Sequence, residues 1–286
     1  MIKKLWQSIL DIVLILLLVI VAQIIPQIIL GLPQIFAPGL KTNHSYILVA
    51  DILLSLGYLW IFYAGFKWLC KHRYQHKFST ITGSVRFKKH YFTDACLLIV
   101  ILLAGTWLVG VKVATPSLNH WEFTQNLVNN VLLFFVAPLV EEIAFRGVIF
   151  EQVARRSNTV TGVIVSSLLF GLVHLMNGQL DLLSAIQLVV SGFLMGTLLS
   201  LAYLWAHSIW ANFTLHAAYN LILTLIPVQA SLSHDWPFQL IFTSHHQLMT
   251  GGQYGSDCSL PFNLAYLVMI GLFLIRFRSV SQKTPF

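Results

Sequence analysis

Three short stretches of an otherwise apolar chain carry groups able to hydrolyse an amide. The first, Leu139-Val140-Glu141-Glu142-Ile143-Ala144-Phe145-Arg146-Gly147, sets two adjacent carboxylates inside a hydrophobic run. Glu142 and Arg146 stand four residues apart with the acid first, the order in which a helix pairs them best. Glu141 points about 100° away on a helix of ~3.6 residues per turn. It has no such partner and is free to face a cavity as a general base. The alternative is that both acids brace a helix contact, for which one pair would suffice. The second stretch is Phe170-Gly171-Leu172-Val173-His174. A single histidine in an apolar run serves packing as often as chemistry, and Gly171 beside it permits close helix approach under either reading. The third, Trp210 to Asn220, places His216 and Asn220 on one helical face, with Ala217 and Ala218 leaving room beside them. The structural alternative for that pair is an interhelical hydrogen bond, worth ~0.6 kcal/mol on average in a membrane interior.

A carboxylate, two histidines and an asparagine suit the attack of water on a peptide bond. Glu141, helped by His174, would take the proton of the water; His216 and Asn220 would donate to the developing oxyanion. No serine or cysteine nucleophile is needed. His174, His216 and Glu141 could equally bind zinc. The helix-borne His-Glu-x-x-His of zinc peptidases is absent, however, and Asn220 is a poor zinc ligand. The reading leans to a metal-free glutamate mechanism with no cofactor expected, zinc remaining the alternative.

The elements that must position these groups are set by composition. Of 286 residues, 57% are hydrophobic and 9% charged, against roughly 25% charged in a soluble domain. This excludes a soluble enzyme, a nucleic-acid-binding domain and a disordered chain. Eight apolar segments approach the ~20 residues needed to span a bilayer: Ile9–Leu30, Tyr46–Leu69, Phe92–Val113, Val128–Phe150, Val160–Leu175, Leu183–Trp205, Ile209–Ile226 and Phe262–Ile275. The fold expected is all-α, a polytopic membrane protein of about eight transmembrane helices with the site inside the bundle. Residues 1–127 would form three helices and a basic loop, 128–226 the catalytic helices, and 227–286 an external loop and the last helix.

The formal charge is +7, and its distribution orients the chain. Lys3 and Lys4, the run Lys71, Arg73, Lys77, Arg86, Lys88 and Lys89, the pair Arg155 and Arg156, and Arg276, Arg278 and Lys283 fall on one side of eight spans. The other side holds only Lys41 and Lys112. The positive-inside bias therefore places both termini in the cytoplasm. Counted from that side, Glu141 and His216 lie ~14 and ~12 Å deep and His174 ~22 Å at ~1.5 Å per residue, which predicts a site opening toward the cytoplasm. Asp11, Asp51, Asp94 and Glu151 fall at or beyond span ends and ask for little explanation. Cys70, Cys96 and Cys258 are too scattered for a disulfide framework. The loop Pro227–Pro261 reads as a connection rather than a lid.

The three stretches resemble the signature motifs of the CPBP family, the CAAX-protease and bacteriocin-processing (Abi) intramembrane endopeptidases. Glu141-Glu142-x-x-x-Arg146, Phe170-x-x-x-His174 and His216-x-x-x-Asn220 occur in the family's order, each within an apolar span. The resemblance covers roughly residues 128–226. It implies Glu141 as water activator, His174 as its partner, His216 and Asn220 as oxyanion donors, and Glu142, Arg146 and Phe170 in support. It further implies a membrane-associated peptide or protein substrate in a bacterial cell membrane, with roles in peptide-signal maturation or bacteriocin self-immunity. Two other classes compete. A non-catalytic immunity protein would bind a membrane-active peptide without cutting it. A proton or ion transporter would use the same buried groups, but neither an internal repeat nor a continuous path of acids supports one.

Overall fold

The computed structural model describes residues 2–74, 81–83, 85 and 87–283; Lys77 and Arg86 of the basic run lie outside them. The chain is helical as composition requires. The order is α1 (Ile2–Phe36), α2 (His44–Leu69), α3 (Lys89–Val109), α4 (His120–Glu142), a wide π-helical stretch (Ile143–Phe150), α5 (Glu151–Arg156), α6 (Thr159–Val173), α7 (Leu182–Ala206), α8 (Ile209–Leu225) and α9 (Leu260–Lys283). Helix starts fall where a short polar side chain can satisfy a free backbone N–H. Asn43 accepts from Tyr46, Asn119 from Trp121 and Glu122, Asn158 from Thr161, Asp181 from Ser184, and Ser208 from Trp210.

Among the described residues, six helices are long and apolar enough to cross a membrane, short of the eight that hydrophobic runs alone suggest. The two outside that set are α4 and α8. The first carries Glu122, Glu141 and Glu142, and the second is 17 residues long with Asn212, His216 and Asn220 inside it. Two of the three elements that carry the motifs are thus the least lipid-like, while Phe170 and His174 lie in one of the six apolar spans. Neighbours shield α8, where residues 211–217 are buried throughout, and the π-helical stretch that continues α4.

The bundle is drawn together at two kinds of contact. Between α6 and α7 the backbones meet at glycine: a Cβ on Gly192 would lie 2.5 Å from the Gly171 Cα, and one on Gly171 would lie 2.7 Å from the Val189 carbonyl. Small residues let helices pack this closely without lipid between them. At the basic end the helices are tied by ions. Asp11 of α1 accepts from Arg73 beyond α2 and from Arg156 of α5, both at 2.7 Å, and Arg276 of α9 reaches Asp94 of α3 at 2.7 Å. Asp11 is only 1% exposed, so the acid expected near a span end also serves as a buried clamp.

The opposite end holds a small sheet that the helical reading did not foresee. Its order is β1 (Val111–Ala114), β3 (Gln239–Phe242), β2 (Val228–Gln229). β1 and β3 run antiparallel with Val111 opposite Phe242, and β2 lies parallel to β3 with Val228 opposite Leu240. The segment 227–261 is therefore folded structure. Phe242 and Leu240 sit in the hydrophobic core, and the side-chain amide of Gln187 on α7 donates to the Gln247 and Cys258 carbonyls.

Candidate active site

Glu142 is the most heavily bonded acid of the site. Its side chain is fully buried. Arg146 donates to Oε1 at 3.0 Å, His216 donates its Nδ1–H to the same oxygen at 2.9 Å, and the Asn212 amide donates to Oε2. The four-residue spacing of Glu142 and Arg146 thus makes the pair it suggested. Arg146 also donates to the Gly196 carbonyl on α7 at 2.8 Å and lies 4.9 Å over the Phe170 ring. Arg146 thereby joins α4, α6 and α7 through one guanidinium, using the several donors and the planar face that only arginine offers. Phe170 also packs against His174 at 4.7 Å and edge-on to His216 at 5.9 Å. It is the apolar spacer between the two histidines.

Both imidazoles are held in one orientation. A carbonyl and a carboxylate only accept, so the nitrogens facing them carry the protons. His174 donates Nδ1–H to the Phe170 carbonyl at 2.6 Å, and His216 donates Nδ1–H to Glu142. Each ring therefore turns the other nitrogen, Nε2, away from its anchor, the tautomer being set by the bond at the first. His216 Nε2 lies 3.8 Å from Glu141 Oε2. Glu141, in contrast to its neighbour, keeps 22% of its side-chain surface exposed.

That exposed surface belongs to a cavity of about 550 Å³ lined by Glu141, Phe170, His174, His216 and Asn220 together. Segments distant in sequence thus meet around one volume. Its other walls include Pro227–Ala230 and Tyr254–Cys258, so the cavity runs toward the sheet end of the bundle. The sequence predicts an opening toward the basic end, whereas these walls lie toward the sheet. Depth counted along each helix places the residues along the membrane normal but says nothing of which end is plugged. The segment 227–261, expected to be a plain connection, forms part of the wall.

Among the described residues no three His, Cys, Asp or Glu side chains stand close enough together to hold a metal ion. His174, His216 and Glu141 border the same cavity without forming such a set.

Sequence reasoning missed two groups of the site. Asn212 was within reach, since 212, 216 and 220 share the four-residue period of one helix face. Asp257 was not: it sits in a loop and no spacing ties it to the motifs. It lines the cavity beside Tyr219 and Tyr266. Tyr219 donates to Asp257 at 2.7 Å and its hydroxyl lies 2.6 Å from that of Tyr266.

Comparison with known proteins points to a family. Residues 123–222 match the family model described as type II CAAX prenyl endopeptidase Rce1-like. That stretch, which holds all three motifs, is a CPBP-family domain. An uncharacterized protein of Mycoplasma capricolum subsp. capricolum is 36% identical over 107 residues, which are 36% of this chain and 28% of that protein. The match thus spans little more than a quarter of the relative's length. No solved structure matches the chain.

Proposed function

We propose that the chain is an intramembrane endopeptidase in which Glu141 activates the water that attacks a peptide bond. One observation carries the reading: the only partly exposed carboxylate of the Glu141–Glu142 pair opens onto a cavity shared with His174, His216 and Asn220. Glu142 is spent on Arg146, His216 and Asn212, which leaves Glu141 as the base. His174, anchored through Nδ1, offers Nε2 to the same water. Asn220 donates to the oxyanion in any protonation state; His216 Nε2 does so when the ring carries its second proton. Glu142 and Arg146 hold the site together rather than touch substrate, and Phe170 spaces the two histidines on the cavity wall. In this reading residues 128–226 are the catalytic helices.

The charge distribution supports a substrate class. If the lysine- and arginine-rich end is cytoplasmic, the cavity opens toward the outer face. The substrate is then a peptide or a protein segment presented from that face, as in maturation of an exported peptide signal or removal of a bacteriocin-like peptide, rather than a cytosolic protein.

Three measurements test this. In proteoliposomes with a fluorogenic hydrophobic peptide, Glu141→Gln and His174→Ala should each lose at least a hundredfold of the hydrolysis rate; full retention in both would end the peptidase reading. Equal protection of cells against a membrane-active peptide by wild type and Glu141→Gln would favour binding without cleavage. For orientation, Ser256→Cys in a background with Cys96→Ser should react in whole cells with a membrane-impermeant maleimide. Labelling only after the cells are opened would place the cavity on the cytoplasmic side.

A further inference from the structure

Hydrolysis of an amide needs two proton movements, one from the water and one to the departing nitrogen. The residues of the three motifs account for the first. The second requires an acid on the cavity wall, and the structure supplies a carboxyl that none of the motifs contains. We propose that Asp257 is a catalytic residue of this site, the acid that protonates the leaving amine; the proposal rests on the peptidase reading above.

Asp257 lines the cavity into which Glu141, His174, His216 and Asn220 open. It is held there by both neighbours in the fold and by its own loop. Tyr219, one turn beyond His216 on α8, bonds it at 2.7 Å, and Tyr266 of α9 bonds Tyr219 in turn. The Cys258 carbonyl next in the chain is fastened to Gln187, and the Gln253 amide to Ser184. A residue whose task was only to tie the loop down would not need to reach the cavity. The titratable groups facing Asp257 are Tyr219 and His216 on α8 and His174 just beyond α6. Burial raises its pKa above the usual carboxylate range, against the Tyr219 bond and the histidines, which lower it.

Protons and electrons balance over the cycle. The water gives one proton to Glu141 and its oxygen bonds the carbonyl carbon. As the C–N bond breaks, its electron pair stays on nitrogen, which takes the proton of Asp257. The Asp257 carboxylate left behind keeps the bond from Tyr219. The proton on Glu141 returns to Asp257 through water in the cavity, and the products are one carboxylic acid and one amine.

The test compares a peptide amide with a matched ester whose leaving group is a nitrophenolate, which departs without a proton. Asp257→Asn preserves size and the contact with Tyr219 but holds no acid. It should lose about a hundredfold on the amide, within the range of general acid catalysis, and less than about fivefold on the ester. Glu141→Gln should lose both. Tyr219→Phe keeps the acid but removes the bond that stabilises the carboxylate it leaves, so its ratio of ester to amide rates should rise about threefold or more above wild type. Equal loss on the two substrates in Asp257→Asn would make Asp257 a loop tie and overturn the proposal, as would unchanged amide hydrolysis. Should Asp257→Asn not accumulate folded, Tyr219→Phe decides: a ratio of ester to amide rates unchanged from wild type overturns the assignment. Absence of hydrolysis in the wild type would instead fail the peptidase reading.

Discussion

The two ends of the bundle use buried acids in opposite ways. At the basic end Asp11 is met by Arg73 and Arg156, and Asp94 by Arg276. These arginines keep 22–35% of their side-chain surface, so each reaches in from the membrane surface along its own apolar stem. Half-way through the bundle Glu142 is treated likewise but with a wholly buried arginine. Beside it Glu141 forms no ion pair with an arginine among the described residues, and at the sheet end Asp257 is bonded by a tyrosine and influenced by the two histidines. Acids that clamp helices are given full cationic partners; acids that border the cavity are not. A carboxylate already committed to strong donors is a poor base, whereas one left short of them can exchange a proton.

This contrast between clamping and cavity acids can be broken at several points. The largest effect expected is on activity at Glu141: Glu141→Gln should cost roughly 10²–10⁴-fold in rate while unfolding in detergent shifts by no more than about 0.5 kcal/mol. A large loss of stability would make Glu141 another clamp. Next is Glu142→Ala, which strands the buried Arg146 and releases His216. It should destabilise by about 3–5 kcal/mol and lose activity along with the fold. Normal stability there would show that the Arg146 pair is not the brace. Asp11→Asn should cost about 1.5–3 kcal/mol by weakening two charged hydrogen bonds, with the rate per folded molecule unchanged; a specific loss of rate would tie the basic end to the chemistry. The smallest effect belongs to Asp94→Asn, about 1 kcal/mol, read as a lowered midpoint in a thermal melt with no change in rate.

Much of this arrangement is legible in the chain itself. The spacing of Glu142 and Arg146 implies their pair, and the shared face of His216 and Asn220 implies a common direction, because helical periodicity depends only on chain position. Gly171 beside His174 signals a close crossing, and Gly192 is what it meets. Hydrophobic runs alone take no account of the polar residues inside α4 and α8, which set these two apart from the six apolar helices. Asp11 resembles an ordinary span-end acid because its partners lie 62 residues away, at Arg73, and further still at Arg156. The segment 227–261 carries no periodic signal, and its strands are completed only by pairing with Val111–Ala114.

Sequence alone determined a membrane-embedded helical protein, the side on which its positive charge collects, and the residue types grouped in each motif. All of these follow from local composition and from turns of a single helix. Only the tertiary structure decided that Glu142 is consumed by three donors while Glu141 is spared, that the cavity runs away from the basic end, and that a loop aspartate stands on its wall. Those outcomes depend on contacts between helices and loops far apart in the chain, and no period along one element can encode which neighbour will fill the space beside it.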